Sequence, residues 1–126
     1  YCHATEELLS PIVGFHFKDR LGQILFGDNT FLSYLEQPLH ISSGEWIVAK
    51  FSFRMPILAP GDYSVGVAVA DGTQHEHVQH HWLHDALLLT SVTESVCTGI
   101  IGIPMKKISM SKIADFESFQ KNESFC

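Results

Sequence analysis

The stretch Glu45-Trp-Ile-Val-Ala-Lys-Phe-Ser-Phe-Arg-Met55, followed by Pro56-Ile-Leu-Ala-Pro-Gly61 and Asp62-Tyr-Ser-Val-Gly-Val-Ala-Val-Ala70, decides the fold. In its first part Ile47, Ala49, Phe51, Phe53 and Met55 share one parity, and Trp46, Val48, Lys50, Ser52 and Arg54 share the other. In its last part Tyr63, Val65, Val67 and Val69 alternate with the small residues Ser64, Gly66, Ala68 and Ala70. A period of two puts successive side chains on opposite faces of a strand. The two prolines and the glycine between the runs fix a turn, so the runs are expected as antiparallel neighbours.

Outward from this pair, a long strand is expected over 77–92 and shorter ones over 12–18, 23–26 and 100–109, with turns at 19–22 and 27–29. Residues 30–36 have room for one or two helical turns at most. Six or seven strands at hairpin-like spacing read as an all-β antiparallel β-sandwich. In 111–126, Ile113, Phe116 and Phe119 recur at helical spacing among polar residues, which reads as a short helix or a tail. The expected division is a sandwich domain over 1–110 and a C-terminal segment over 111–126.

Composition narrows the classes. A chain of 126 residues that is 45% hydrophobic and 17% charged has the material for one core. Eight Lys and Arg against fourteen Asp and Glu give a net charge of −6, the wrong sign for holding nucleic acid by its phosphates. Cys2, Cys97 and Cys126 are odd in number and widely spaced, which argues against a disulfide framework and for a reducing compartment. No apolar run approaches the roughly 18–20 residues that span a bilayer. A chain opening at Tyr1 instead of Met reads as a piece of a longer protein.

Five of the eight histidines fall within ten positions, at His75, His77, His80, His81 and His84. On a regular strand His80, Trp82 and His84 share one face and His81, Leu83 and Asp85 the other. The pair His75 and His77 has the His-x-His spacing of cupin metal sites, but no glutamate follows it a few residues on. Histidines hydrogen-bonded to neighbouring strands, with Trp82 as a structural ring, are the plainer reading. His84 and Asp85 are expected on opposite faces, and no serine or cysteine stands in a nucleophile motif. The glycines form no phosphate-cradling loop. No catalytic residue, cofactor or metal site is expected.

Sugar recognition needs a flat apolar ring for the C–H face of a pyranose and polar side chains for its hydroxyls. Trp46, with Lys50, Ser52 and Arg54 on the same parity, forms such a strip, opposite the Phe51 and Phe53 core face. Tyr34 and Gln37 in the less regular loop are the second choice.

Three blocks carry a resemblance. They are Pro11-Ile-Val-Gly-Phe-His-Phe-Lys-Asp-Arg-Leu-Gly-Gln-Ile-Leu-Phe-Gly-Asp-Asn-Thr30; Met55-Pro-Ile-Leu-Ala-Pro-Gly-Asp-Tyr-Ser64 running on to Val69-Ala-Asp-Gly-Thr73; and His77-Val-Gln-His-His-Trp-Leu-His-Asp-Ala86 with Gly99-Ile-Ile-Gly-Ile-Pro-Met105. Over residues 9–109 the chain resembles the C-terminal domain of Wzt, the nucleotide-binding subunit of ABC transporters that export O-antigen polysaccharide. The resemblance implies an immunoglobulin-like or jelly-roll sandwich that binds carbohydrate and is not an enzyme. Its ligand would be the non-reducing end of an O-antigen polysaccharide, so that chain completion is coupled to export. Implied partners are a second copy, as a homodimer with a C-terminal strand exchanged around 100–109, an ATPase domain in the parent chain, and a membrane-spanning transporter subunit. The implied location is cytoplasmic, at the inner face of the inner membrane. The hallmark residues Gly27, Asp28, Asn29, His80, His81, Trp82, His84 and Asp85 read as fold-fixing, with selectivity elsewhere. The rivals are a cupin-like metal-dependent enzyme on His75, His77, His80 and His84, and a dimerisation module fused to a glycan-modifying enzyme.

Overall fold

The computed structural model describes residues 1–94 and 99–110. The expected tail or helix of 111–126, and Cys97, lie outside the described residues. The described residues form eight strands: β1 (Cys2–His3), β2 (Pro11–Asp19), β3 (Ile24–Asn29), β4 (Trp46–Ile47), β5 (Ile57–Leu58), β6 (Gly61–Gly72), β7 (His77–Ser91) and β8 (Ile101–Gly102). One 3-10 turn, Leu32–Tyr34, falls within the stretch where one or two helical turns were expected.

The main layer is a four-stranded antiparallel sheet in the order β3-β2-β6-β7. β2 and β3 form a hairpin whose turn is closed by the Asp19 carboxylate, which accepts from the amides of Leu21 and Gln23 at 2.9 Å each. β6 and β7 form the second hairpin, where the Thr73 amide donates to the Glu76 carbonyl at 2.8 Å. The Asp71 carboxylate at the end of β6 accepts from the amides of Leu9 and Ser10, tying the entry of β2 to the exit of β6.

The second layer is built differently from the sequence expectation. β6 is paired along β2 on one edge and β7 on the other, so the 45–55 run is not its hydrogen-bonded neighbour. Among the described residues only Trp46 and Ile47 of that run join a ladder, with β1. The run instead lies across the sheet: the Phe15 ring stands 4.9 Å from Phe51 and is stacked on Phe53 at 5.5 Å, and Phe26 meets Phe53 edge-on at 5.9 Å. Alternation marks which residues face the core, and it is the same whether strands pair side by side or stack face to face. The parity holds over 46–52, with Ile47 buried, Ala49 and Phe51 half-buried, and Trp46, Val48, Lys50 and Ser52 exposed, but beyond it Phe53 and Met55 of the expected core face are exposed like Arg54.

Two further expectations change. Gly27, Asp28 and Asn29 are not a connector but the end of β3, paired with His16, Phe15 and Gly14. The strand expected over 100–109 is reduced to Ile101–Gly102, which pairs with β5. Its continuation makes no ladder among the described residues.

The core lies between the layers in two clusters. Ala4, Leu8 and Ile47 pack with Val13 and Ile41, and Phe17, Leu58 and Tyr63 pack with Phe26, Val65 and Leu89. Beside the first cluster is a cavity of about 560 Å³, bounded by Phe15, Val67 and Leu83 of the sheet and by Ile47 and Phe51 of the second layer. Phe17, only 3% exposed and stacked on Phe26 at 4.9 Å, anchors the second cluster. Phe17→Ala is expected to lower stability by about 3–5 kcal/mol in urea unfolding. Phe53→Ala, at a ring 53% exposed, is expected to lose less than half as much.

Candidate functional site

The histidine-rich strand β7 is interrupted twice, and both interruptions re-aim its side chains. Val65 pairs with Leu87 and Val67 with Leu83, so His84, Asp85 and Ala86 together oppose Gly66. Val69 pairs with His81 and Ala70 with Gln79, so His80 is an extra residue. A bulge adds unpaired residues to one strand and breaks the strict alternation of faces. The sequence expectation for this segment is corrected accordingly. His80 joins His81 and Leu83 on the inner side, where all three border the cavity. There His80 Nδ1 lies 2.8 Å from a Glu6 carboxylate oxygen. Asp85 joins Trp82 and His84 on the outer face, where it meets Lys18 Nζ at 3.3 Å and bonds Ser64.

The bulges also separate the histidines that a metal site would need. His77 and His84 go outward while His80 goes inward. His77 Nδ1 lies 3.0 Å from the Thr73 carbonyl oxygen. Among the described residues no group of three or more His, Cys, Asp or Glu is placed to hold a metal ion.

The outer face of the sheet is organised around His16. Its strand neighbours are Gly27 on one side and Gly66 on the other. Its ring lies over Gly66, where a Cβ would occupy the space of the imidazole. The ring is 5.3 Å from Trp82, which is 5.7 Å from His84, so three rings run across the strands. Burial lowers the His16 pKa from 6.5, and the charges of Lys18 and His84 lower it further. Hydrogen bonds from Ser64 and then Lys18 hold the Asp85 carboxyl below the usual carboxylate range. The Lys18 side chain is largely covered, and its ammonium group reaches the exposed carboxylate of Asp85.

Beside this row the same face holds a shallow groove over Gly14, Ala68 and Ala70, flanked by Asn29, Gln79 and Trp82. Sequence reasoning placed Asn29 and Trp82 among fold-fixing hallmarks and did not single out Gln74 or Gln79. The available signal was the run of small residues on one parity of β6, which leaves that face without filling side chains.

The residues selected from the sequence lie elsewhere. Trp46, 65% exposed, sits on the outward side of β4 with its ring 4.9 Å from that of His3. Lys50, Ser52 and Arg54 follow on the same parity, all exposed, with no side-chain hydrogen bond or ion pair among the described residues. Tyr34 and Gln37 are exposed in and after the 3-10 turn, and no ring contact or hydrogen bond among the described residues joins them to Trp46. Ile47 packs inward with Val13, so the Trp46 strip and the groove are on opposite outer faces of the sandwich.

An all-β antiparallel sandwich with an open sheet face of this kind defines the class of the domain. The model of the Wzt C-terminal domain family matches residues 1–103, and the chain belongs to that family. A solved structure described as the crystal structure of the C-terminal domain of Wzt superposes with a TM-score of 0.71 at 23% identity. The match covers 84% of this chain and 64% of that one. No curated protein matches the chain.

The depressed pKa of His16 fixes a sign. The folded protein takes up a proton at His16 at lower pH than the unfolded chain, which does so near the ordinary value of 6.5. The stability it contributes is full above that pH and falls as the pH drops toward the lower native value. The His16 imidazole resonance, followed by NMR, is expected to titrate with a midpoint below 6.5. His16→Gln is expected to flatten the fall of Tm with pH in that window.

Proposed function

We propose that this domain binds carbohydrate without covalent chemistry, reading the non-reducing end of an O-antigen polysaccharide and coupling chain completion to export by an ABC transporter. The match of residues 1–103 to the Wzt C-terminal domain family carries the reading. Open outer faces that present indole rings beside amide, hydroxyl and charged side chains support it. In this reading the parent chain carries an ATPase domain that acts with a membrane-spanning subunit at the cytoplasmic face of the inner membrane. Among the described residues no helix is long and apolar enough to cross a membrane.

The strip of Trp46, Lys50, Ser52 and Arg54, with Tyr34 and Gln37 in second place, is proposed to supply selective contacts. On a domain of net charge −6, Lys50 and Arg54 are the local cations suited to a phosphate-bearing cap. Isothermal calorimetry with the source strain's polysaccharide is expected to give saturable binding, and an unrelated O-polysaccharide none. Silence with both polysaccharides would overturn the reading. For a phosphate-capped chain, replacing Lys50 and Arg54 together with Ala is expected to weaken binding by about 1.5–3 kcal/mol. Unchanged affinity removes both from the site.

A homodimer with an exchanged C-terminal strand belongs to the same proposal. The β5–β8 register, Ile57 with Gly102 and Leu58 with Ile101, carries residues 103–110 along 49–56 if it continues. Both segments lack ladder partners among the described residues, and the apolar Ile103, Ile108 and Met110 are exposed. Light scattering is expected to give a dimer for the full chain and a monomer for a chain ending at Gly102.

A further inference from the structure

The groove on the outer face of the main sheet has a definite chemistry. Its volume is about 260 Å³, below the roughly 300–1,000 Å³ of pockets that take drug-sized ligands. It is the size for one ring and not for a chain. Gly14, Ala68 and Ala70, whose side chains are too small to fill it, line it together with the apolar Ile12, and the strand order puts Asn29 of β3 on one side and Trp82 of β7 on the other. Gln74, from the turn between β6 and β7, closes one end.

The hydrogen-bonding capacity left over decides the ligand. The Gln79 amide nitrogen donates to the carbonyls of Val69 at 3.0 Å and His81 at 2.8 Å, which satisfies the backbone at the bulge. Both its hydrogens are spent, and its oxygen remains an acceptor. His77 Nδ1, 3.0 Å from the Thr73 carbonyl, carries the proton of the neutral imidazole, in which Nε2 is an acceptor. Across the groove the Asn29 oxygen is engaged by the Phe31 amide at 2.9 Å. The free hydrogen of the Asn29 amide and both on the Gln74 amide nitrogen remain as donors.

One side of the groove therefore accepts and the other donates, with no Lys, Arg, Asp or Glu in its lining. A phosphate or carboxylate would bring acceptors against His77 and Gln79 with no cation to offset them. A purely apolar ligand would strip water from these groups and leave them unpaired, which costs about 1–3 kcal/mol for each. A hydroxyl donates and accepts, and satisfies both sides.

We infer that the groove binds one uncharged sugar ring of a glycan, its C–H face on Trp82 and its hydroxyls between His77 and Gln79 on one side and Asn29 and Gln74 on the other. The inference rests on the carbohydrate-binding reading above and adds the site and the charge class of the sugar. The strip at Trp46 lies on the opposite face, so the two surfaces are separable by substitution.

The test uses the full chain. Trp46 and Trp82 are its two tryptophans, so Trp46→Phe leaves Trp82 as the only indole reporter, and because Trp46 belongs to the proposed strip, the calorimetric isotherm of this variant sets the polysaccharide concentration at which its emission is read. The source strain's polysaccharide is expected to shift Trp82 emission saturably, and inorganic phosphate alone not to shift it. In calorimetry on the wild-type background, Gln74→Ala and His77→Ala are each expected to weaken binding roughly tenfold, as loss of a hydrogen-bonding partner does. Gln74 is an exposed turn residue, so its variant folds as the parent does, which circular dichroism verifies. Calorimetric binding with unmoved Trp82 emission and unaffected variants overturns the groove and leaves the carbohydrate reading intact. A saturable shift of Trp82 emission by inorganic phosphate alone overturns the uncharged ligand. Absence of calorimetric binding by the wild type overturns the carbohydrate reading itself, and the groove with it.

Discussion

β6 is hydrogen-bonded along both edges, and the rest of the molecule is arranged around that fact. A strand paired on both sides has no backbone groups left for another neighbour, so the apolar run at 45–55 is excluded from the sheet and lies across it. The phenylalanine contacts between Phe15, Phe51 and Phe53 then become the bond between layers. The two faces of β6 are unequal: Val65, Val67 and Val69 fill inward, while Ser64, Gly66, Ala68 and Ala70 leave the outer face low. That inequality makes room for the His16 ring over Gly66 and for the groove beside it.

The second organising feature is the mismatch in length between β6 and β7. The extra residues of β7 are absorbed at His80 and at His84 to Ala86, and the alternation of faces resets at each place. A cluster that is continuous in sequence is split between the interior cavity and the outer face. His80 closes against Glu6 at the N-terminal side of the cavity, while Asp85 turns out to Lys18 and Ser64. Gln79 spends its donors on the carbonyls of Val69 and His81 at the bulge, so a residue that looks available for ligand is half committed to the fold.

β7 is also an edge, with Leu87 and Leu88 exposed, the latter at 73%. Unpaired strand edges and exposed apolar side chains are features that folded proteins ordinarily cover. The unpaired 48–56 segment and the exposed 103–110 segment share that character, which is why the proposed strand exchange accounts for the second layer better than for the main sheet.

By itself the sequence determined the class of the fold, the positions of β2, β6 and β7, and the inward and outward parity of 46–52, because period-two alternation is a local property that burial enforces residue by residue. The FGDNT and HHWLHDA blocks determined the family, although the first proved to end a strand and not to form a loop. Local pattern does not encode which strands share an edge, where a ladder gains a residue, or how much of a polar side chain remains after the backbone has used it. Those were decided only in the tertiary structure. The displacement of 45–55 into the second layer, the sorting of the histidines and the groove at Trp82 all arise from pairings between residues far apart in the chain.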